Sequence, residues 1–244
     1  MQNLFLFIST VLAYFIKAIT GFGNTLVMGS LFSFMVPNRL TTPIDLIFSI
    51  PTNIYIVWRE RKNVSLKVVV PLSLMLLAGI IPGTLLLKVG NDRLLKSILG
   101  IVVVGMALEM LTRKQVQDTN KKTNPVFLTA IGITSGILAG LYGIGALLVA
   151  YISRYSDNKG QFRGNICCIF LVDNVFRFFL YLFTGILNKE IFITTLILSP
   201  AVIIGMIVGV KVDSGMKEDT VKKVVIALLI ISGTILFVKS LLNY

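Results

Sequence analysis

The chain has 244 residues, of which 55% are hydrophobic and only 14% are charged, whereas ordinary soluble domains carry about 25% charged residues. A soluble protein of this length could not bury so many apolar side chains, so the composition excludes an ordinary globular domain and indicates a polytopic membrane protein. The formal net charge of +12 comes from Lys and Arg in short segments between apolar blocks, a pattern typical of membrane orientation rather than of nucleic-acid binding.

Eight apolar segments follow one another along the chain, and several approach the roughly 20 residues that a helix needs to cross the hydrocarbon layer. They predict an all-α, multi-pass protein of the cell inner (plasma) membrane. The first segment lacks a basic leading region and a small-residue cleavage site, so we expect a retained helix rather than a signal peptide. The segments cover residues 4–36, 43–58, 68–87, 94–111, 125–152, 166–187, 191–210 and 221–242.

Two of these segments contain a pair of glycines around one apolar residue. The triplets are Gly21-Phe22-Gly23 in the first segment and Gly143-Ile144-Gly145 in the fifth. A shift of 122 residues superimposes the triplets and also superimposes Ile47-Phe48 on Ile169-Phe170. The same short patterns therefore recur in the same order.

A second pair of glycine motifs follows farther along each half of the chain. Gly79-x-x-x-Gly83 is repeated as Gly205-x-x-x-Gly209, 126 residues later, and we expect both motifs to let helices pack closely. Three matched features in one order indicate an internal duplication. We therefore predict a first transmembrane repeat at residues 1–114, a basic connecting loop at 115–124 and a second transmembrane repeat at 125–244.

The positions of Lys and Arg distinguish two topologies for the glycine-broken segments. If each segment crosses once, the basic loop residues divide into 10 and 11 on the two sides of the membrane; if each enters and returns as a hairpin, they divide into 15 and 6. Basic loops concentrate on the cytoplasmic side, so the hairpin is favoured, and single broken crossings are the alternative. Each half is then a hairpin plus three transmembrane helices, which makes the halves inverted repeats with both ends outside.

The duplicated breaks predict a shared cavity. Glycine lets the backbone leave helical geometry, and unpaired backbone groups at membrane depth are tolerated only where protein or a watery cavity satisfies them. Helices that start near Asn24 and Ala146 would point donor amides and positive dipole ends into the cavity. That arrangement favours an anionic ligand; the alternative is that these glycines serve only close helix packing.

Lys17, Asp173 and Arg177 are ionisable residues well inside apolar segments, where charge is costly and usually functional. Lys17 precedes the first break by one helical turn, and Asp173 and Arg177 are four residues apart on one helix face. One interpretation is that Lys17 or Arg177 binds an anionic substrate while Asp173 fixes the geometry or takes up a coupling proton. The alternatives are a Lys17 that snorkels to the interface and a neutralising structural pair of Asp173 and Arg177.

Neutral polar residues also lie near the breaks or midway along the second and sixth segments, and each alone could form a bond between helices. Asp45 lies close to the predicted start of its segment and is expected to be an interfacial helix cap. The candidate substrate-binding residues are therefore Lys17, Thr20, Gly21, Gly23, Asn24, Thr25, Asn53, Tyr142, Gly143, Gly145, Asp173, Asn174 and Arg177.

Two halves that each open with an apolar helix ending in a Gly-x-Gly break resemble the sulfite exporter TauE/SafE family of membrane permeases. The similarity covers essentially the whole chain, and its motif-bearing stretches are Ile19-Thr20-Gly21-Phe22-Gly23-Asn24 and Leu141-Tyr142-Gly143-Ile144-Gly145-Ala146. The resemblance implies transport, without ATP, of a small and often sulfur-containing anion such as sulfite, a sulfonate or sulfoacetate. Family members often continue the motif with further glycines, where this chain has Asn24 and Ala146.

The predicted function is therefore secondary transport of a small anion by alternating access, with no enzymatic activity, cofactor, metal or nucleic-acid partner. A proton is the candidate coupling ion, and a homo-oligomer is a candidate assembly. The chain has no histidine and no Gly-x-x-x-x-Gly-Lys-Ser/Thr phosphate loop, which excludes His-Glu-x-x-His zinc chemistry, Ser-His dyads and ATP hydrolysis at such a loop. The alternatives are an intramembrane enzyme of another kind and a membrane scaffold without transport.

Overall fold

The computed structural model describes residues 2–32, 35–89, 125–143, 145, 148–149, 151–152, 156 and 158–213, and the single residues 227, 230 and 234. Over these ranges the chain is helical and contains no strand, which confirms the predicted all-α class. The apolar segment predicted at 94–111, the connecting loop at 115–124 and nearly all of the segment at 221–242 lie outside the described residues.

The described helices are α1 Gln2–Thr20, α2 Asn24–Phe32, α3 Asn38–Arg59, α4 Leu66–Val89, α5 Pro125–Tyr142, α6 Lys159–Phe183 and α7 Lys189–Asp213. A 3₁₀ turn at Arg61–Asn63 lies between α3 and α4. Five of these helices are long and apolar enough to cross a membrane, namely α1, α3, α4, α6 and α7, while α5 contains the shorter apolar stretch Thr129–Leu141.

The first apolar segment is broken, as the glycines predict. α1 has 19 residues and α2 has nine; at 1.5 Å per residue, α1 is about 28 Å long and α2 about 13 Å. α1 can therefore cross the hydrocarbon layer alone, whereas α2 covers less than half of it. α2 is thus too short to form a second full crossing by itself. The hairpin topology, with α2 as a short re-entrant arm, and the inverted relation of the halves stay predictions.

The second apolar segment begins earlier than expected. α3 starts at Asn38, with Pro37 at the N-cap and no side-chain cap, rather than at Pro43, which lies inside the helix. Asp45 is consequently two turns into α3, and its side chain is only 3% exposed. The expectation that Asp45 is an interfacial cap was wrong, because the polar residues before Pro43 continue the helix instead of forming a loop.

The long helices pair in a pattern that links the two predicted repeats. α1 packs mainly against α7, α4 against α5, and α3 against α6. In the predicted duplication α1 corresponds to α5, α3 to α6 and α4 to α7. Exchanging the halves therefore turns the first pair into the second and leaves the third unchanged, which is the pattern expected of two halves related by a two-fold axis.

The glycine motifs lie at the two equivalent helix pairs. Gly79-x-x-x-Gly83 of α4 faces α5, where a Cβ atom on Gly83 would lie 3.0 Å from the Cα atom of Gly140. Gly205-x-x-x-Gly209 of α7 faces α1, where a Cβ atom on Gly205 would lie 3.0 Å from the backbone nitrogen of Phe15. Only a hydrogen side chain allows such an approach of the backbones. The predicted close-packing role of both motifs is confirmed.

The outward faces of the helices are apolar. On α1, Leu4, Ile8 and Leu12 recur at helical spacing and are all exposed, and α7 exposes Ile193, Ile197 and Ile204 in the same way. Contiguous apolar surface of this extent is unfavourable in water but matches the hydrocarbon chains of a bilayer. The described helices therefore bury their polar residues against one another and present apolar side chains to lipid.

Replacing Gly205 by Leu should force α7 away from α1. We expect overpacking to destabilise the protein by about 1–3 kcal/mol, measured as a lower midpoint of thermal unfolding in detergent. Ile204→Leu is the matched control, because Ile204 is the neighbouring, exposed residue and its replacement should change stability by less than about 0.5 kcal/mol. Equal midpoints for the two variants would contradict the close α1–α7 packing.

Candidate functional site

The helices before the two glycine breaks end in the same way. The amide of Gly21 donates to the carbonyl of Lys17 (2.7 Å), and the amide of Gly143 donates to the carbonyl of Ala139 (2.8 Å). Gly21 and Gly143 both have a positive φ, +83° and +72°, which glycine adopts without steric penalty. Residues that lie 122 positions apart in the sequence thus form equivalent backbone turns.

After each break, helical hydrogen bonding resumes at matching positions. The carbonyl of Gly23 accepts from the amide of Val27, and the carbonyl of Gly145 accepts from the amide of Val149, both at 3.0 Å. Gly23 has a positive φ of +88°. A Cβ atom on Gly145 would instead overlap the ring of Phe170. Gly23 is therefore needed for its backbone conformation and Gly145 for the space it leaves.

A small cavity lies between the two breaks. The space open to the centres of water molecules is about 30 Å³, enough for about two or three waters or a small ion. Its lining combines residues of α1, α2 and α3 with residues of the second break and α6. These are Lys17, Phe22, Gly23, Asn24, Thr25, Leu26, Ser49, Asn53, Gly143, Gly145, Val149, Phe170, Asp173 and Asn174.

Nine of the thirteen residues predicted from the sequence line this cavity. Phe22, Leu26, Val149 and Phe170 were missed because apolar residues in apolar segments give no sign of a site. Ser49 was missed because a single hydroxyl inside an apolar segment is an ordinary feature of membrane helices. That the breaks converge is a structural finding; that the lining residues bind a substrate stays a prediction.

Three of the remaining predicted residues have other positions, and the side chain of the fourth, Tyr142, lies outside the described part of the structure. Thr20 stabilises the first break, since its hydroxyl oxygen lies 2.6 Å from the Phe22 carbonyl and accepts from the Phe22 amide (3.2 Å). Gly21 faces α6, where the Cys167 thiol donates to its carbonyl at 3.1 Å. Both residues shape the site without lining it.

Arg177 is buried, with 2% exposure, but it does not line the cavity. Its Nη1 donates to the Ala139 carbonyl at 2.7 Å and its Nη2 to Asn174 Oδ1 at 2.6 Å. Its Nε lies 3.0 Å from Asp173 Oδ1, an ion pair without the alignment of a hydrogen bond. All three guanidinium nitrogens therefore face protein groups, which favours the structural-pair interpretation over anion binding by Arg177.

Lys17 is the cation that lines the cavity. It is 1% exposed, so it does not snorkel to the interface. Its ammonium donates to Ser49 Oγ at 3.2 Å and lies 5.6 Å from the centre of the Tyr14 ring. Within the described ranges no carboxylate lies within 4 Å of it. Because an ammonium has three hydrogens, Lys17 keeps donors for a ligand.

Asp45 of α3 is the buried carboxylate that contacts the residues following the first break. It accepts from the Tyr14 hydroxyl at 2.8 Å, from Asn24 Nδ2 at 2.7 Å and from the Thr25 hydroxyl at 2.5 Å. These donors belong to α1 and to the first turn of α2. Asp45 therefore holds α2 in place against α1 and α3, so that the first turn of α2 faces the cavity.

Asn53 has an unusual position for a buried amide. Its side chain is 0% exposed and lines the cavity, yet neither its oxygen nor its nitrogen has a hydrogen-bond partner among the described residues. Leaving such groups unpaired costs about 1–3 kcal/mol each. A polar ligand or water in the cavity would satisfy both atoms. The same described residues contain no group of three acidic, cysteine or histidine side chains that could hold a metal.

Comparison with known proteins agrees with the resemblance noted in the sequence. The family model described as sulfite exporter TauE/SafE matches residues 6–236, which is nearly the whole chain and includes both glycine breaks and every residue that lines the cavity. No curated protein and no solved structure matches the chain. The match extends from the first transmembrane helix through both predicted halves, and the chain therefore belongs to the sulfite exporter TauE/SafE family.

Proposed function

We propose that this protein is a secondary permease that moves a small sulfur-containing anion, such as sulfite, a sulfonate or sulfoacetate, across the inner membrane. The observation that best supports the proposal is the convergence of both glycine breaks on one polar cavity. A membrane scaffold would have no use for a buried cavity lined by Lys17 and an unpaired Asn53. The TauE/SafE family supplies the expectation of a sulfur-related anion.

The polar groups around the cavity suit an anion. Lys17 keeps unused N–H donors, and the Asn53 amide can donate as well as accept. The first turn of α2 runs from Asn24 through Leu26 along the cavity; the amides of a first turn lack intrahelical acceptors and carry the positive end of the helix dipole. A sulfite or sulfonate group, with three oxygens, could accept from several of these donors at once.

The proposed mechanism is alternating access of the two predicted repeats around this cavity. The helix pairs α1–α7 and α4–α5 join one repeat to the other in equivalent ways, and the central pair α3–α6 borders the cavity. Relative movement of the repeats would therefore change access to the cavity from either side. Coupling to a proton is part of the proposal, with Asp173 as the cavity residue that could take one up.

A cluster of ion pairs lies next to the first break and could close one end of the pathway. Arg163 of α6 contacts both carboxylate oxygens of Asp213, at 2.6 Å and 2.7 Å, and Arg59 Nη2 lies 3.5 Å from the same carboxylate. Between this cluster and the cavity, the Phe22 ring stacks edge to face on Phe162, with centres 5.9 Å apart. Opening on this side would require the ion pairs and the ring contact to separate.

Replacing Lys17 by Met should abolish most transport while leaving the fold intact. We expect uptake of radiolabelled sulfite, sulfoacetate or taurine into vesicles of purified protein to fall by about tenfold or more, the loss of one charged hydrogen bond to the ligand. Lys88→Met removes a lysine from an exposed position on α4 and should transport like the parent protein. Undiminished flux in Lys17→Met would contradict the proposed site, and absence of flux in the parent protein would contradict the proposed function.

The main effect of replacing Arg177 by Met should be a loss of protein stability rather than a loss of anion binding. The change leaves Asp173 as an unpaired buried carboxylate, and removing one partner of a buried ion pair destabilises proteins by about 3–5 kcal/mol. We expect the midpoint of thermal unfolding in detergent to fall well below that of Lys17→Met. If Arg177→Met unfolds at the midpoint of the parent protein yet has lost transport, Arg177 contacts the anion and the structural interpretation is wrong.

Replacing Asp213 by Asn should weaken closure at the ion-pair cluster. In a background without Cys167 and Cys168, a cysteine introduced at Asn53 should then react faster with a water-soluble thiol reagent in detergent. Glu60→Gln is the matched control, because Glu60 belongs to the same cluster but contacts Arg59 (3.1 Å) rather than Arg163. Equal labelling rates in the two variants would show that the Asp213 ion pairs do not control access to the cavity.

A further inference from the structure

We propose that Asp45 is the residue that gives the cavity its preference for anions, by fixing the direction of the hydrogen bonds around it. The proposal rests on the proposed function, because it concerns the same cavity. Asp45 does not itself line the cavity. It is a positioning residue that acts through Asn24, Ser49 and Lys17.

The first step is the polarity that a carboxylate imposes. An ionised carboxylate only accepts hydrogen bonds, so each group that contacts Asp45 must present a hydrogen to it. The Tyr14 and Thr25 hydroxyls therefore donate, and Asn24 must place its amide nitrogen rather than its oxygen 2.7 Å from Asp45 Oδ1. The reverse orientation of the amide would bring two acceptors into repulsive contact.

The second step passes from Asn24 to Ser49. With one hydrogen of its amide nitrogen directed at Asp45, Asn24 directs the other at Ser49 Oγ, 3.0 Å away. Lys17 donates to the same oxygen at 3.2 Å. A hydroxyl oxygen has two acceptor lone pairs and one hydrogen. Both lone pairs of Ser49 are thus occupied, and only its hydrogen is left.

The third step is the direction of that hydrogen. A serine inside a helix often donates to the carbonyl of the preceding turn, but no such bond from Ser49 is found among the described residues. Ser49 lines the cavity, and the competing acceptor for its hydrogen is the hydroxyl oxygen of Tyr14, which donates its own hydrogen to Asp45. An anion in the cavity is a stronger acceptor than a phenol oxygen. The Ser49 hydrogen is therefore available to the ligand, alongside the remaining hydrogens of Lys17.

The balance of charge makes this orientation decisive. Lys17 and Asp45 carry opposite charges, and so do Asp173 and Arg177. Among the described residues at the cavity the ionisable groups therefore sum to zero, and net charge alone would attract no anion. Oriented donors remain as the source of selectivity. The geometry points to ligands that accept several hydrogen bonds at once. Sulfite and sulfonates should therefore bind better than chloride, and this preference should hold even for sulfonates, which carry the same single negative charge as chloride.

The test measures binding to the purified protein in detergent, by titration calorimetry with sulfoacetate and, separately, chloride. Asp45→Asn and Ser49→Ala should each raise the Kd for sulfoacetate by about tenfold, equivalent to one charged hydrogen bond. Because both act through the same hydrogen, the double variant should bind no more weakly than either single one. Ser49→Thr keeps the hydroxyl and should restore binding to near that of the parent protein.

A matched control separates the donor from a general effect on α3. Thr52→Ala also removes a buried hydroxyl from α3, but that hydroxyl bonds to the Phe48 carbonyl at 2.9 Å and does not line the cavity; its Kd should stay that of the parent protein. Vesicle transport by the same variants should show a raised KM with little change in kcat. A loss of packing would lower the amount of active protein instead.

The outcomes distinguish this inference from the proposed function. If Lys17→Met loses binding but Asp45→Asn and Ser49→Ala bind normally, or if their effects add in the double variant, the positioning role is wrong and the anion site stands. If the parent protein neither binds nor transports any sulfur anion, both fail. Should Asp45→Asn not fold, the Ser49 pair decides: equal Kd values for Ser49→Ala and Ser49→Thr would overturn the proposal.

Discussion

The structure depends on one constraint: backbone groups inside a membrane must find partners within the protein. Two helices in this chain are interrupted at glycines, and each interruption leaves amides and carbonyls outside the regular helical pattern. At the first break Thr20 meets this need, because its hydroxyl group bonds to the backbone of Phe22, while Asp45 from the neighbouring helix accepts from the side chains of Asn24 and Thr25. Asn24 and Thr25 also line the cavity, so the polar contacts that hold the break in place reach the cavity wall.

Close packing of the long helices brings the breaks together. Glycines on α4 and α5 let these two helices approach each other, and glycines on α7 let it approach α1. The first helix of each predicted repeat is therefore held by the third helix of the other. The breaks that end α1 and α5 then line one cavity together with residues of α3 and α6. The two breaks do not form the cavity by themselves, because α3 contributes Ser49 and Asn53 to its lining and α6 contributes Asp173 and Asn174.

The sequence predicts much of the fold and part of the site, for separable reasons. The cost of burying charged and polar groups in lipid identifies Lys17, Asp173 and Asn53 without a structure. Duplication identifies the glycine breaks, and the structure confirms that they meet. Hydrophobic patterning also locates the membrane-length helices that the structure describes, whereas the sidedness of the segments and the inverted relation of the halves stay predictions.

The rest depends on contacts between residues far apart in the chain. Asp45 was assigned to a helix end because polar residues and Pro43 obscure the true start of α3. Arg177 attracted attention as a buried cation, but the carbonyl of Ala139, 38 residues away, takes up one of its donors, and no sequence pattern reports that contact. The role of Ser49 follows from the directions of neighbouring hydrogen bonds, which only the folded chain defines.

The contact between Gly145 and the ring of Phe170 has a consequence for how such permeases diverge. A Cβ atom on Gly145 would overlap Cε1 of Phe170, so the ring prevents a larger residue at this position. A smaller side chain at 170 would free that space, enlarge the cavity and permit alanine or serine at 145. The two positions should therefore vary together among homologues. Homologues with a smaller residue at 170 should then accept larger substrates.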